Sequence, residues 1–146
     1  MKVKLSVILA IACSIMCLFL PSCDKNEVST YAPNNVSGKT MTINGTSAGT
    51  IHIAFTSNSS ARITRNDGSS LSFTSVSYTK TNFNAASVRI NGIFINFGSS
   101  SATDDENLSL IFTSSSQGVV NGSYNRRWND GSTMSGSIEH QSFTIF

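Results

Sequence analysis

The chain has 146 residues, enough for one ordinary domain, with 10 Lys and Arg against 8 Asp and Glu and only 12% charged residues. A balance this close to neutral gives no electrostatic footprint for nucleic acid and no polybasic patch for a lipid surface. All three cysteines, Cys13, Cys17 and Cys23, fall in the first 23 residues, so the remainder has no disulfide framework and needs a packed core.

In chain order, Lys2 and Lys4 make a short positive start, followed by an almost unbroken apolar run, Leu5 to Leu20. Sixteen residues make a helix about 24 Å long, short for a hydrocarbon core of about 30 Å. This reads as a secretory signal segment rather than a permanent span. Its end, "LPSC" from Leu20 to Cys23, resembles the lipobox of bacterial lipoproteins: an apolar residue at −3, a small residue at −1, then cysteine. Pro21 departs from the commoner Ala, Ser or Thr at −2. The resemblance implies that the Cys23 sulfur takes a diacylglycerol before cleavage and that its freed amine takes another acyl chain. Several chains give stable membrane attachment where one does not. Cys13 and Cys17 read as small apolar members of the signal segment. The resemblance implies an envelope lipoprotein, most simply of the outer membrane. Asp24 and Glu27 weakly resemble the acidic tags that send some such proteins to the cell surface. The expected division is residues 1–22 signal peptide, 23–35 tether and 36–146 domain. Without Lys2 and Lys4, the chain from Cys23 has 8 basic and 8 acidic side chains, net zero.

Ser, Thr and Asn make 52 of the 124 residues from Cys23 onward (24, 14 and 14). The apolar residues among them are β-branched or aromatic and recur at period two. "KTMTIN" alternates Met41 and Ile43 with threonines, "TIHIAF" aligns Ile51, Ile53 and Phe55, and "LSLIF" aligns Leu108, Leu110 and Phe112. That is the pattern of strands with one buried face. Asn-Gly at 44–45, 91–92 and 121–122, and Asp-Gly at 67–68 and 130–131, supply the positive φ of tight hairpins. A two-residue turn at Asn91-Gly92 puts Ala86, Val88, Ile90, Ile93, Ile95 and Phe97 on one face. "FTSVSYT" breaks parity between Phe73 and Val76, which predicts a bulge near Thr74–Ser75. The expectation is eight to ten short strands in an antiparallel meander, closed into a small barrel, with a two-sheet sandwich as the alternative. The predicted core is Met41, Ile43, Ile51, Ile53, Phe55, Leu71, Val88, Ile90, Ile93, Ile95, Phe97, Leu108, Leu110 and Phe112.

Two stretches, "YTKTNFNAASVRI" from Tyr78 and "LSLIFTSSSQGVVNGSY" from Leu108, resemble a pair of segments in small lipoproteins of gut-type Gram-negative bacteria. Those proteins are similar to lipocalin-like β-barrels. The resemblance covers about half of the chain after Cys23 and implies a fold rather than a function. "GKT", Gly38 to Thr40, lacks the tryptophan of the G-x-W motif of lipocalins proper.

Few residues carry chemistry. "GTSAG", Gly45 to Gly49, matches G-x-S-x-G, but strands rather than a strand and a helix flank it, so it reads as a hairpin loop and not a nucleophile elbow around Ser47. His52 reads as a solvated strand histidine, and His140 as part of a turn before the last strand. "TDDEN", Thr103 to Asn107, reads as a solvated loop; it lacks the spaced layout of a calcium loop. "YNRRW" puts Tyr124, Arg126 and Trp128 on one strand face. There, aromatics beside a guanidinium could line a barrel mouth and stack on a sugar, or simply pack with the arginines reaching water. These three are the candidate ligand residues. No catalytic residue, metal site or cofactor is expected. The sequence thus reads as a non-enzymatic, lipid-anchored barrel that binds a small apolar or sugar-like ligand. The alternative is a protein-interaction module of adhesion, inhibitor or immunity type. A barrel filled by Phe, Ile and Leu would favour the second, an open apolar cavity the first.

Overall fold

Strands with one apolar face need a shared interior, and the computed structural model, which describes residues 31–146, supplies it by curling a single sheet. Eight strands follow in order: β1 (Thr40–Thr46), β2 (Gly49–Ser57), β3 (Ser60–Arg65), β4 (Ser75–Asn82), β5 (Ala85–Asn96), β6 (Ser101–Phe112), β7 (Gln117–Trp128) and β8 (Thr133–Ile145). Their spatial order is β3-β2-β1-β8-β7-β6-β5-β4. Every pairing is antiparallel. The β1–β8 ladder closes the meander, and β3 and β4 are left facing each other across one seam. The seam is stitched rather than sealed: the Tyr78 N–H donates to the Asn58 carbonyl at 2.6 Å, and the Leu71 N–H to the Ile63 carbonyl at 2.9 Å. The signal segment, Cys23 and the first part of the tether lie outside the described residues.

An eight-stranded barrel is just wide enough for its own side chains to fill. Here Met41, Ile43, Ile51, Ile53, Val88, Ile90, Ile93, Leu110 and Val120 are fully buried, in one cluster with Phe112 and Phe143. One end, the base, gathers the β2–β3, β4–β5 and β6–β7 hairpins. There Phe112 meets Phe143 edge-on at 4.8 Å between centroids and Phe55 meets Tyr78 at 6.2 Å. Residues 31–35, expected in the tether, lie against this end. Ala32 is 1% exposed and its N–H donates to the Phe83 carbonyl at 3.1 Å. The Tyr78 hydroxyl donates to the Pro33 carbonyl at 2.9 Å, and burial pushes this phenol up to about 12.

Several local expectations change. Asn91-Gly92 is not a hairpin turn: β5 runs through it, and the register steps from Ile90↔Glu106 to Ile93↔Asp104. Two residues oppose one, which is a bulge, with Gly92 at φ 68°. Asn121-Gly122 likewise lies inside β7, and the extra residue sits across from it in β8, between Ile138 and Gln141. His140 is therefore in a mid-strand bulge, at φ 52°, and not in a turn. Asn44-Gly45 is a third bulge, and the chain reverses at Ser47-Ala48 instead. No bulge marks Thr74–Ser75; Phe73 precedes β4, so it owes no parity to Val76. Phe97, expected in the core, lies just beyond β5 and is 46% exposed. Asp67-Gly68 and Asp130-Gly131 do sit in turns.

Candidate functional site

The charge run expected to be a loop is instead the first half of β6, paired on both sides. Period two then drives Thr103, Asp105 and Asn107 outward and Asp104 and Glu106 inward, where both are 0% exposed. A carboxylate is sustained in such a place only with a partner, and the neighbouring strand provides it. Arg126 of β7 lies directly across from Asp104. Its Nε donates to Asp104 Oδ1 at 2.9 Å and its Nη2 to Oδ2 at 2.7 Å, a two-pronged pair that also carries shape specificity. The hydrogen bonds that Arg126 donates to Asp104 raise its pKa further, against the opposing effect of burial.

The β1–β2 turn reaches across this end of the barrel onto the same pair of strands. Ser47 donates its N–H to Glu106 Oε1 at 2.8 Å and its hydroxyl to the same oxygen. Its carbonyl accepts from Arg126 Nη2 at 3.3 Å. Ser47 thus serves as a latch across the barrel, and no imidazole contacts it among these bonds. Glu106 Oε2 is buried and has no partner among the described residues. Burial raises the Glu106 pKa, and the Ser47 hydrogen bonds oppose that only in part.

Three aromatic rings surround the Arg126 guanidinium: Phe97 at 5.0 Å, Trp128 at 5.3 Å and Tyr124 at 5.5 Å from its carbon to the ring centres. Phe97 also stacks, tilted by 41°, on Trp128 at 5.1 Å. The Tyr124 ring covers Gly136 on the facing strand; a Cβ there would lie 2.6 Å from the ring, so glycine makes the room. Trp128, the last residue of β7, and Phe97 are partly open to solvent, so the cluster forms a mouth opposite the base.

Tyr124, Arg126 and Trp128, the residues singled out in the sequence, are brought together as expected on the inner face of β7. Phe97, Asp104, Glu106 and Ser47 join them without having been assigned to a site. The signal for the two acids was present: the parity of Phe112, Leu110 and Leu108 continues upstream to Glu106, Asp104 and Ala102. His52 sits beside Thr42, whose hydroxyl lies 2.8 Å from Nδ1, and exposed His140 receives the Asn121 side-chain oxygen on its N–H at 2.9 Å. Both are away from the mouth cluster in these contacts. Among the described residues no group of three or more His, Asp or Glu converges on a common point. The arrangement holds an ion-paired guanidinium behind aromatic rings, which suits binding through ring faces and directed hydrogen bonds.

Neither a family model, nor a curated protein, nor a solved structure matches this chain.

Proposed function

We propose that this protein is a non-enzymatic binding module of the bacterial cell envelope, held at the outer membrane by acyl chains on Cys23, with recognition at its mouth. The observation that carries the reading is the opposition of the two ends. Residues 31–36 dock on the base, while Phe97, Arg126 and Trp128 gather at the other end. From Cys23 to Tyr31 is eight residues, a reach of at most about 28 Å. An anchor at Cys23 would keep the base near the membrane and leave the mouth pointing away from it. The filled interior supports recognition on the rim rather than an apolar ligand deep inside. The mouth offers ring faces of Trp128 and Phe97 backed by a guanidinium, which suits a sugar-like ligand; a protein partner seated on the same rings is the second reading, favoured by that filled core.

The test uses the full-length protein in detergent. Trp128 is the only tryptophan, so its emission reports on the mouth alone. A ligand of the mouth should shift or quench that emission, and Trp128→Ala should weaken its binding by about 1–3 kcal/mol. An unchanged emission across a ligand screen, with a protein partner binding Trp128→Ala normally, would remove the mouth from the account. Labelling with a clickable fatty acid checks the anchor: wild type should label and Cys23→Ala should not.

A further inference from the structure

The outer wall of the barrel carries a second candidate surface, which meets the mouth only at Arg126. Along β6 the outward residues are Thr103, Asp105, Asn107 and Ser109, and along β7 they are Ser123, Asn125 and Arg127; the register sets Thr103 across from Arg127, Asp105 from Asn125 and Asn107 from Ser123. A groove of about 590 Å³ lies over the first of these. Thr74 and the Asn91–Gly92 bulge form one side and Thr133, Met134 and Ser135 the other. That volume falls within the range of ordinary small-ligand sites, about 300–1,000 Å³. A second groove of about 390 Å³ lies over Ser87, Arg89, Asn107, Leu108, Ser109 and Ser123. From Thr103 to Ser109 is six residue steps, about 20 Å of strand, so the two follow one another along β6 as a track.

The bulge shapes this track. The Gly92 N–H donates to Asp105 Oδ1 at 2.8 Å, which holds the carboxylate in place and engages one of its two oxygens. Gly92 is at φ 68°, and a Cβ on it would lie 2.2 Å from the Thr74 hydroxyl oxygen, so the bulge and its wall fit only around glycine. Asp105 and Arg127 are diagonal neighbours on one face, yet the only ion pair among the described residues is Arg126 with Asp104. An acceptor and a forked donor therefore stay available side by side. The asparagine amides at 107 and 125 both donate and accept, as do the flanking hydroxyls. A surface that alternates donors and acceptors matches a ligand whose own groups do both, which describes a polyol. Asp105 with Arg127 and Arg89 gives the track both signs rather than the single-sign field a polyanion needs, and Met134 and Leu108 are the only aliphatic side chains lining it, too few to favour an apolar ligand.

We propose that the outer wall over β5 to β8 is a binding track for a linear, uncharged oligosaccharide, gripped by Asp105, Asn107, Asn125 and Arg127. The test immobilises full-length protein in detergent and measures dissociation constants for maltohexaose, cellohexaose, chitohexaose and, as the charged comparison, a galacturonic acid hexamer. At least one neutral hexamer should bind, and Arg127→Ala and Asn125→Ala should each weaken it at least tenfold. Asp105→Asn, which keeps an oxygen for the Gly92 N–H, should do the same with unchanged thermal unfolding. Trp128→Ala should alter that affinity less than twofold. Failure of every neutral hexamer to bind at millimolar concentration overturns the proposal, as does tighter binding of the charged hexamer than of any neutral one. Loss in Trp128→Ala with full binding in Arg127→Ala and Asn125→Ala would overturn it too, while supporting recognition at the mouth.

Discussion

The base and the mouth are built from the same strands and stabilised by different physics. At the base, Leu108, Leu110, Phe112, Phe143 and Ile145 face one another with no polar group between them. At the mouth, starting two positions beyond Leu108 on β6, the inward residues are Glu106 and Asp104, with Arg126 of β7 across from Asp104. Burying the first set gains free energy for each CH₂ removed from water. Burying the second costs desolvation that even a well-made ion pair offsets only in part. A polar end in a barrel that could have been apolar throughout is thus poorly explained by stability, and well explained by a need to hold Arg126 and its aromatic neighbours in one geometry.

The largest effects should come from opening either end. Phe112→Ala removes a fully buried ring and its edge contact with Phe143, and should cost about 3–5 kcal/mol in denaturant unfolding. Arg126→Met should cost a similar amount, about 3–5 kcal/mol, because Asp104 would be left buried and uncompensated. The double variant Asp104→Leu, Arg126→Met separates the two ends. It should regain most of the lost stability, while no second substitution of that logic exists at the base. A double variant as unstable as Arg126→Met alone would mean that the pair itself stabilises the fold.

The base was legible in the sequence and the mouth was half legible, for one physical reason. Alternation reports burial directly when the inward residues are apolar, so Met41, Ile43, Ile51, Ile53 and Phe55 were assigned without any knowledge of the sheet. At Asp104 and Glu106 the same alternation continues, but charge density was read as exposure, because the compensating Arg126 lies on another strand 22 positions away. Asn-Gly pairs misled differently. A hairpin turn and a bulge both use the positive φ that glycine tolerates, and at Asn91-Gly92 both bring Ile90 and Ile93 to the same face. Ala86, Val88, Ile90, Ile93 and Ile95 are accordingly all buried, though the chain goes straight on where a reversal was expected. The latch from Ser47 was not legible, since nothing local ties a turn after β1 to strands β6 and β7.

A smaller effect should distinguish the ends by pH. Glu106 has its pKa raised in the folded protein, first by burial. Its unfolded value is about 4.3, so between that and the native value the folded state binds more protons. Stability from this group is complete below the unfolded value and is lost as pH rises through the native one. The slope there should be negative, with one proton's worth, about 1.4 kcal/mol per pH unit, as its upper bound. Glu106→Gln should flatten it, as followed by denaturant midpoints across a pH series. Phe112→Ala should lower the whole curve and leave its shape alone. A slope that persists in Glu106→Gln would assign the titration to another group.

The smallest effect concerns the hinge between the two halves of β8. Below the bulge Phe143 and Ile145 point inward, and above it Ile138 does. Without the extra residue one set would face water. The bulge puts His140 at φ 52°, a conformation that costs an L-residue about 1–2 kcal/mol. Glycine adopts it freely but loses more freedom on folding, by about 0.5–1 kcal/mol. His140→Gly should therefore stabilise the protein slightly, by about 0.5 kcal/mol. Asn121→Ala, which removes the oxygen that accepts the His140 N–H at 2.9 Å, should destabilise it by about 0.5–1.5 kcal/mol. Opposite signs in matched unfolding curves would identify the bulge as a backbone requirement fixed from β7. A loss in His140→Gly would instead show that the imidazole itself holds the two ends in register.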